Sequence, residues 1–216
     1  MEALGQHVRI RLRDDRVIVQ SDEERRMVAR VVLRLSRGFE LLAFSLPDTH
    51  VHLEACCDAK RANELARRVG ASLKQRLELP VSFVSYPLEP IRTQAHLRNT
   101  LRYLCQQHIR HGLALRDIIE STSVPDLLGL RVVGAEVTAR VRQRLPRVTA
   151  RHVRAWTGLT GLQPADGPLS ALPEAALAAT ALPSLEGKSA LAMDVRRAML
   201  ALIGDRLPRR DIAAML

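Results

Sequence analysis

Aromatic side chains make up only 3% of the 216 residues, and lysine is rarer still, with Lys60, Lys74 and Lys188 standing among 33 basic residues. A core without aromatics must come from Leu, Val, Ile and Ala, and a hydrophobic content of 47% supplies enough to exclude a disordered chain. No apolar run approaches 18 residues, and the N-terminus lacks the apolar heart of a secretory signal. The expectation is therefore a cytoplasmic protein with no membrane partner. Cys56, Cys57 and Cys105 form no disulfide framework and no CxxC zinc pair, which fits a reducing compartment. With so few lysines, the net charge of +10 rests on arginine. Its planar fork matches phosphate and stays charged, so a polyanion is the expected partner, nucleic acid ahead of an anionic membrane. A GC-rich genome favours arginine too, so charge alone names no partner. The length suits one domain of about 110–150 residues plus a smaller one.

The first half of the chain reads as an α+β unit. His7 to Arg13 alternates apolar and basic residues, the period of a half-buried strand, and Val17-Ile18-Val19 is expected to pair back on it. Ser21 with Glu24 makes a capping box for a helix running to Arg37. Strands follow at 40–46 and 50–57, joined by a tight Pro47-Asp48 turn, then a helix capped by Asp58 and a strand at 81–86. The order β-α-β-β-α-β is that of a ferredoxin-like, split βαβ antiparallel sheet with one face left for a ligand. A further helix is expected from Arg92 to His111, with Ala95, Leu97, Leu101, Leu104, Cys105 and Ile109 inward. Arg92, His96, Asn99, Tyr103, Gln107 and Arg110 then form its polar stripe.

Within the third strand His50 and His52 share a face, because strand side chains alternate. Two imidazoles roughly 7 Å apart along a strand can share a metal ion. An H-x-H in a basic protein is more often a turn residue and a half-buried one, and a polar helix stripe is ordinarily a solvated face. What gives this pair weight is the later stripe carrying Tyr103 and, one helical turn on, Gln107. A divalent ion, Mg²⁺ or Mn²⁺, on His50, His52 and Gln107 would polarise a phosphodiester, and the Tyr103 phenolate would attack phosphorus to give a phosphotyrosine link.

These residues carry a resemblance. The order strand, helix, strand, Pro47-Asp48-Thr49-His50-Val51-His52, helix, strand, then a helix with a tyrosine, resembles the single-tyrosine HUH transposases. The REP-associated tyrosine transposases look like the nearest branch. About residues 5–115 are covered. The resemblance implies Tyr103 as nucleophile, His50, His52 and Gln107 as metal ligands, and single-stranded or hairpin DNA as substrate. Thr49 is interposed before His50, and Gln107-His108 replaces that branch's usual Asn-Pro pair, a feature closer to the insertion-sequence branch.

Arg9, Arg11, Arg92, Asn99 and Arg110 are the candidate DNA contacts. Glu54 shares the histidine face and could hold metal, orient a histidine or simply be a surface carboxylate. His96 could touch a phosphate, Tyr86 reads as a packed strand end, and Trp156 as a core residue of a smaller domain. The chain divides into a catalytic unit at 1–115, a helical extension at 116–163 broken at Pro125 and Pro146, a linker with a short Ala helix at 164–188, and 189–216. That last part has a helix over 190–203 and the start of another at 208–216, in the manner of a partial helix-turn-helix. A monomer or homodimer is expected. Two other readings stay open: a domesticated, non-catalytic DNA-binding protein on the same scaffold, and a structural zinc protein using His50, His52, Cys56 or Cys57.

Overall fold

Alternation in the first strand and the hairpin around Pro47-Asp48 generate the sheet on which everything else is laid. The computed structural model describes residues 2–85, 88–159, 171–186 and 189–203. Strands β1 (Gly5–Leu12), β2 (Leu41–Ser45), β3 (His50–Ala55) and β4 (Phe83–Ser85) lie in the order β2-β3-β1-β4, and β5 (Glu89–Ile91) also pairs with β1. All these pairings are antiparallel. Helices α1 (Asp22–Leu35) and α2 (Ala59–Arg76) complete the split βαβ order, so the fold is α+β. Both helices start where the sequence signals a start. Ser21 and Glu24 form a reciprocal capping box, and the Asp58 carboxylate accepts from the Arg61 amide at 2.8 Å. One sheet face, made by Val8, Ile10, Leu12, Val51 and Leu53, is at most 1% exposed, and α2 packs on its β1 part.

Several expectations fail locally. Val17-Ile18-Val19 is not a strand. Ile18 makes a single backbone bond to Asp48 O at 2.9 Å, while Ile18 and Val19 bury their side chains. The long helix is two: α3 (Gln94–Cys105), capped by Thr93, and the single turn α4 (Gln107–Arg110), which leaves Arg92 ahead of the helix. The break falls at Gln106, whose amide N–H is shared between the Arg102 and Tyr103 carbonyls and whose side chain donates to Trp156 O at 3.2 Å. Beyond this break the stripe no longer holds: Ile109 is 59% exposed, and Gln107, expected outward, is buried. Ala95, expected inward, is exposed. Tyr86 lies outside the described residues.

The segment after α4 does more than add helices. It contains α5 (Leu115–Ile118), α6 (Val124–Leu127), α7 (Ala135–Arg144) and α8 (Ala150–Thr157). Between α5 and α6, residues 121–123 run along the outer edge of β2. The Ser121 hydroxyl donates to Leu46 O at 2.8 Å, and the Phe44 amide donates to Ser123 Oγ at 2.8 Å. Ser123 N and Leu46 N complete the row by donating to Phe44 O and Ser121 O. An open strand edge is thereby covered. Just behind it a buried Arg131 donates to Asp126 Oδ2 at 2.9 Å and to the carbonyls of Thr122 and Glu120. Pro125 is not a break but stands in the first turn of α6, where its missing N–H costs nothing. The core continues from β1 through Val137, Val141 and Trp156 without interruption. Helices α9 (Leu172–Thr180) and α10 (Ala190–Ile203) contribute a second cluster around Leu182, Leu185 and Met199. Residues 204–216, where a second helix was expected, are outside the described residues. Among the described residues no helix is long and apolar enough to cross a membrane.

Candidate active site

The second face of the sheet holds the chemistry. Register sets Arg11 opposite His50, Arg9 opposite His52 and His7 opposite Glu54, so these six side chains share one face. That face is not open to solvent as expected, because α3 crosses over β2 and β3 and roofs part of it. His52 and Glu54 are fully buried, and Glu54 is therefore no surface carboxylate.

Under this roof four rings meet. His50 and His52 have centroids 4.5 Å apart, and the Tyr103 ring stands edge-on to His52 at 5.4 Å. His7 stacks on His52 at 5.2 Å and also touches Tyr103 at 5.8 Å. Above the phenol lies the Arg110 guanidinium, 4.6 Å from the ring centroid. The sheet pairing and the α3 crossing thus bring His50, His52 and Tyr103 together although some fifty residues separate them.

A hydrogen-bonded chain orients the innermost histidine. Glu89 Oε2 lies 3.1 Å from His7 Nδ1, and His7 Nε2 lies 3.0 Å from His52 Nδ1. A carboxylate only accepts, so the pattern is satisfied when His7 Nδ1 and His52 Nδ1 both carry hydrogen. His52 Nε2 then presents a lone pair, and this buried atom has no hydrogen-bond partner. The chain is a carboxylate–imidazole–imidazole version of the second shell that orients metal-ligating histidines. None of it was anticipated from sequence beyond the alternation that puts His7 on the same face as Arg9 and Arg11.

Burial keeps these rings uncharged. It lowers His50 to about 4, helped by the nearby His111, and lowers His52 to about 2, helped by His50. His7 is also pushed down, by burial ahead of the opposing pull of Glu89. Neutral imidazoles are what a cation requires of its ligands. Glu54 is driven well above the ordinary carboxyl range by burial alone, and both its oxygens lack partners.

Two overlapping sets of residues offer donor atoms of the kind a metal ion takes. Gln107 is buried, its amide nitrogen donates to Tyr103 O at 3.0 Å, and its Oε1 is left without a partner. Gln107 Oε1 and His52 Nε2 are thus both buried acceptor atoms without a hydrogen-bond partner. The second possibility was not foreseen. Asp48, His50 and His111 offer ligand atoms all within 4.8 Å of one another. Ligand distances near 2.1 Å allow a separation of at most about 4.2 Å between two ligands of one ion, and the closest pair, Asp48 and His111, stands inside that limit. At rest Asp48 Oδ2 meets His111 Nδ1 at 3.2 Å, and Thr49 Oγ1 meets His50 Nδ1 at 3.2 Å. Among the described residues no cysteine joins such a group. Burial raises the Cys56 and Cys57 thiols to about 12 and about 11.

Beside Tyr103 opens a cleft of about 430 Å³, lined by His7, Arg9, Glu89, His96, Asn99, Thr100 and Tyr103. Three of the expected DNA contacts therefore border the phenol: Arg9 and Asn99 in the cleft, Arg110 over the ring. Arg11 instead pairs with Asp15 at 2.8 Å, and Arg92 sits in the connection between β5 and α3. His96 faces the cleft 3.6 Å from Glu89.

No family model and no curated protein matches the sequence. The structure is similar to that of a REP-associated tyrosine transposase bound to a REP hairpin, with a TM-score of 0.40 and 16% identity, over 52% of this chain and 70% of that one.

Proposed function

We propose that the chain is a metal-dependent DNA strand transferase that forms a covalent 5′-phosphotyrosine through Tyr103. The observation that carries this reading is the edge-on packing of Tyr103 against His52 at 5.4 Å, with His50 4.5 Å beyond. A nucleophile and two neutral metal-ligand candidates thus border one buried site beside a cleft open to a strand. When bound, a divalent ion such as Mg²⁺ or Mn²⁺ supplies Lewis acidity toward a phosphodiester oxygen. His50, His52 and Gln107 would hold it, with Asp48 and His111 as the alternative partners of His50.

The protein's own groups do the rest. Arg9 and Asn99 steady the strand in the cleft, while α3 holds the phenol against the imidazoles. Tyr103 Oη loses its proton to solvent and attacks phosphorus in line with the leaving oxygen. A tyrosyl–phosphorus bond forms, the bond to the 3′ oxygen breaks, and that oxygen leaves as a hydroxyl after taking up a proton. Bond energy is retained in the ester, so the strand can be rejoined without a nucleotide cofactor. In this reading residues 1–115 carry the chemistry, and single-stranded DNA near a hairpin is the substrate.

The test is to incubate the protein with labelled single-stranded DNA bearing a hairpin, in Mg²⁺ or Mn²⁺, and look for an adduct that survives denaturation. The expected adduct maps to Tyr103. An adduct on another residue removes the assignment. Tight binding with no adduct under either metal leaves a non-catalytic DNA-binding protein.

A further inference from the structure

Helix α3 is a ridge between two hollows. Asn99 and Tyr103 face the cleft already described, whereas Ala95 and Arg98 face a larger groove of about 760 Å³ on the other flank. The far wall of that groove is the end of α7 and its connection to α8, with Arg144, Pro146 and Arg147. Among the described residues no carboxylate lines it, although the chain has 23 acidic residues. Arg144 is tied to Glu40 on the rim. Arg98 and Arg147 are exposed, and among the described residues neither meets an acidic partner. Neither α3 nor α8 carries an acidic residue in its first turn, so the positive ends of both helices are left uncompensated beside the groove.

A cavity with an apolar floor and a rim of arginine forks, of which Arg98 and Arg147 meet no carboxylate among the described residues, is complementary to a sugar–phosphate backbone. We propose that this groove holds the phosphate backbone of the DNA flanking the reacting phosphodiester, with Arg98 and Arg147 as its contacts. The strand then passes over the α3 ridge, a helix about 10 Å across, into the Tyr103 cleft. The path rests on the strand-transferase reading, but the contact does not. The groove anchors DNA and takes no part in the reaction.

The experiment measures binding of the full chain to a labelled single-stranded oligonucleotide across a salt series, without metal. It compares wild type with Arg98→Ala/Arg147→Ala and with Arg67→Ala/Arg76→Ala. The control pair removes the same charge from exposed positions on α2, on the other side of the sheet. Each lost phosphate contact lowers the slope of log K against log salt by about 0.7. The groove variant should therefore lose about 1.4, and the weakening between about 50 and 200 mM salt should shrink about sevenfold. The control pair should keep the wild-type slope.

An unchanged slope in the groove variant, or an equal loss in the control, overturns the proposal, since the arginines are then merely solvated or act through net charge. Absence of DNA binding by wild type overturns it as well, together with the proposed activity. A selective slope loss without any tyrosyl adduct upholds the groove and overturns the strand-transferase reading alone.

Discussion

The two faces of one sheet differ as much as any two parts of this molecule, although they are built from alternate residues of the same strands. In β3, Val51 and Leu53 point to the apolar face and are fully buried in the hydrophobic core. Their neighbours His50, His52 and Glu54 point to α3, and there His52 and Glu54 are equally buried but leave polar atoms unpaired. A buried polar atom without a partner costs roughly 1–3 kcal/mol. The apolar face is thus where stability is made, and the other face is where it is given up. Such placement is expected of a site kept ready for a cation and a phosphate rather than of a structural core.

The contrast can be broken most completely at Tyr103. Tyr103→Phe should abolish the covalent DNA adduct while leaving DNA affinity and the unfolding midpoint nearly unchanged, as read on denaturing gels, by binding titration and by urea melts. On the opposite face, Leu53→Ala should cost about 2–5 kcal/mol in urea unfolding, because a fully buried leucine leaves a cavity. His7→Phe keeps a ring stacked on His52 but removes the acceptor for its Nδ1–H. Mn²⁺ titration should show affinity falling roughly 10–100-fold. His7→Gln, whose carbonyl oxygen can stand near the lost Nε2, should recover much of it; equal loss in both variants would mean that the ring matters only for packing.

Glu54 gives the smallest and most pH-dependent effect. Its folded-state pKa lies above that of the unfolded chain, so between the two values the native protein binds more protons. Stability therefore falls as pH rises above the ordinary glutamate range. Glu54→Gln should flatten that decline in metal-free protein, with a stabilisation that grows with pH in thermal melts. A decline of the same steepness in the variant would place its origin elsewhere.

Much of this arrangement is legible in the sequence because it depends on local periods. Alternation alone puts His50 and His52 on one face, the Ser21 and Asp58 caps mark helix starts, and the strand order follows from the hairpin and two helices. The rest depends on contacts between distant residues. His7 matters only through a partner 45 residues away in sequence, and the strand register decides that pairing. The helix break at Gln106 answers to a carbonyl at Trp156, which no local propensity announces. Strand β5 has three residues, one of them proline, too few for a period to show. His111 and Asp48 meet through the fold of the β2–β3 turn against α4, so the turn proline and aspartate reveal only half of the pair.

The seam formed by Ser121, Thr122 and Ser123 along β2 bears on how copies of the protein can associate. Backbone groups of Phe44 and Leu46 that would otherwise receive a foreign strand are already occupied by the chain itself. Strand-to-strand joining of two copies along that border, and the fibrous growth it would permit, is closed off by three small hydroxyl residues.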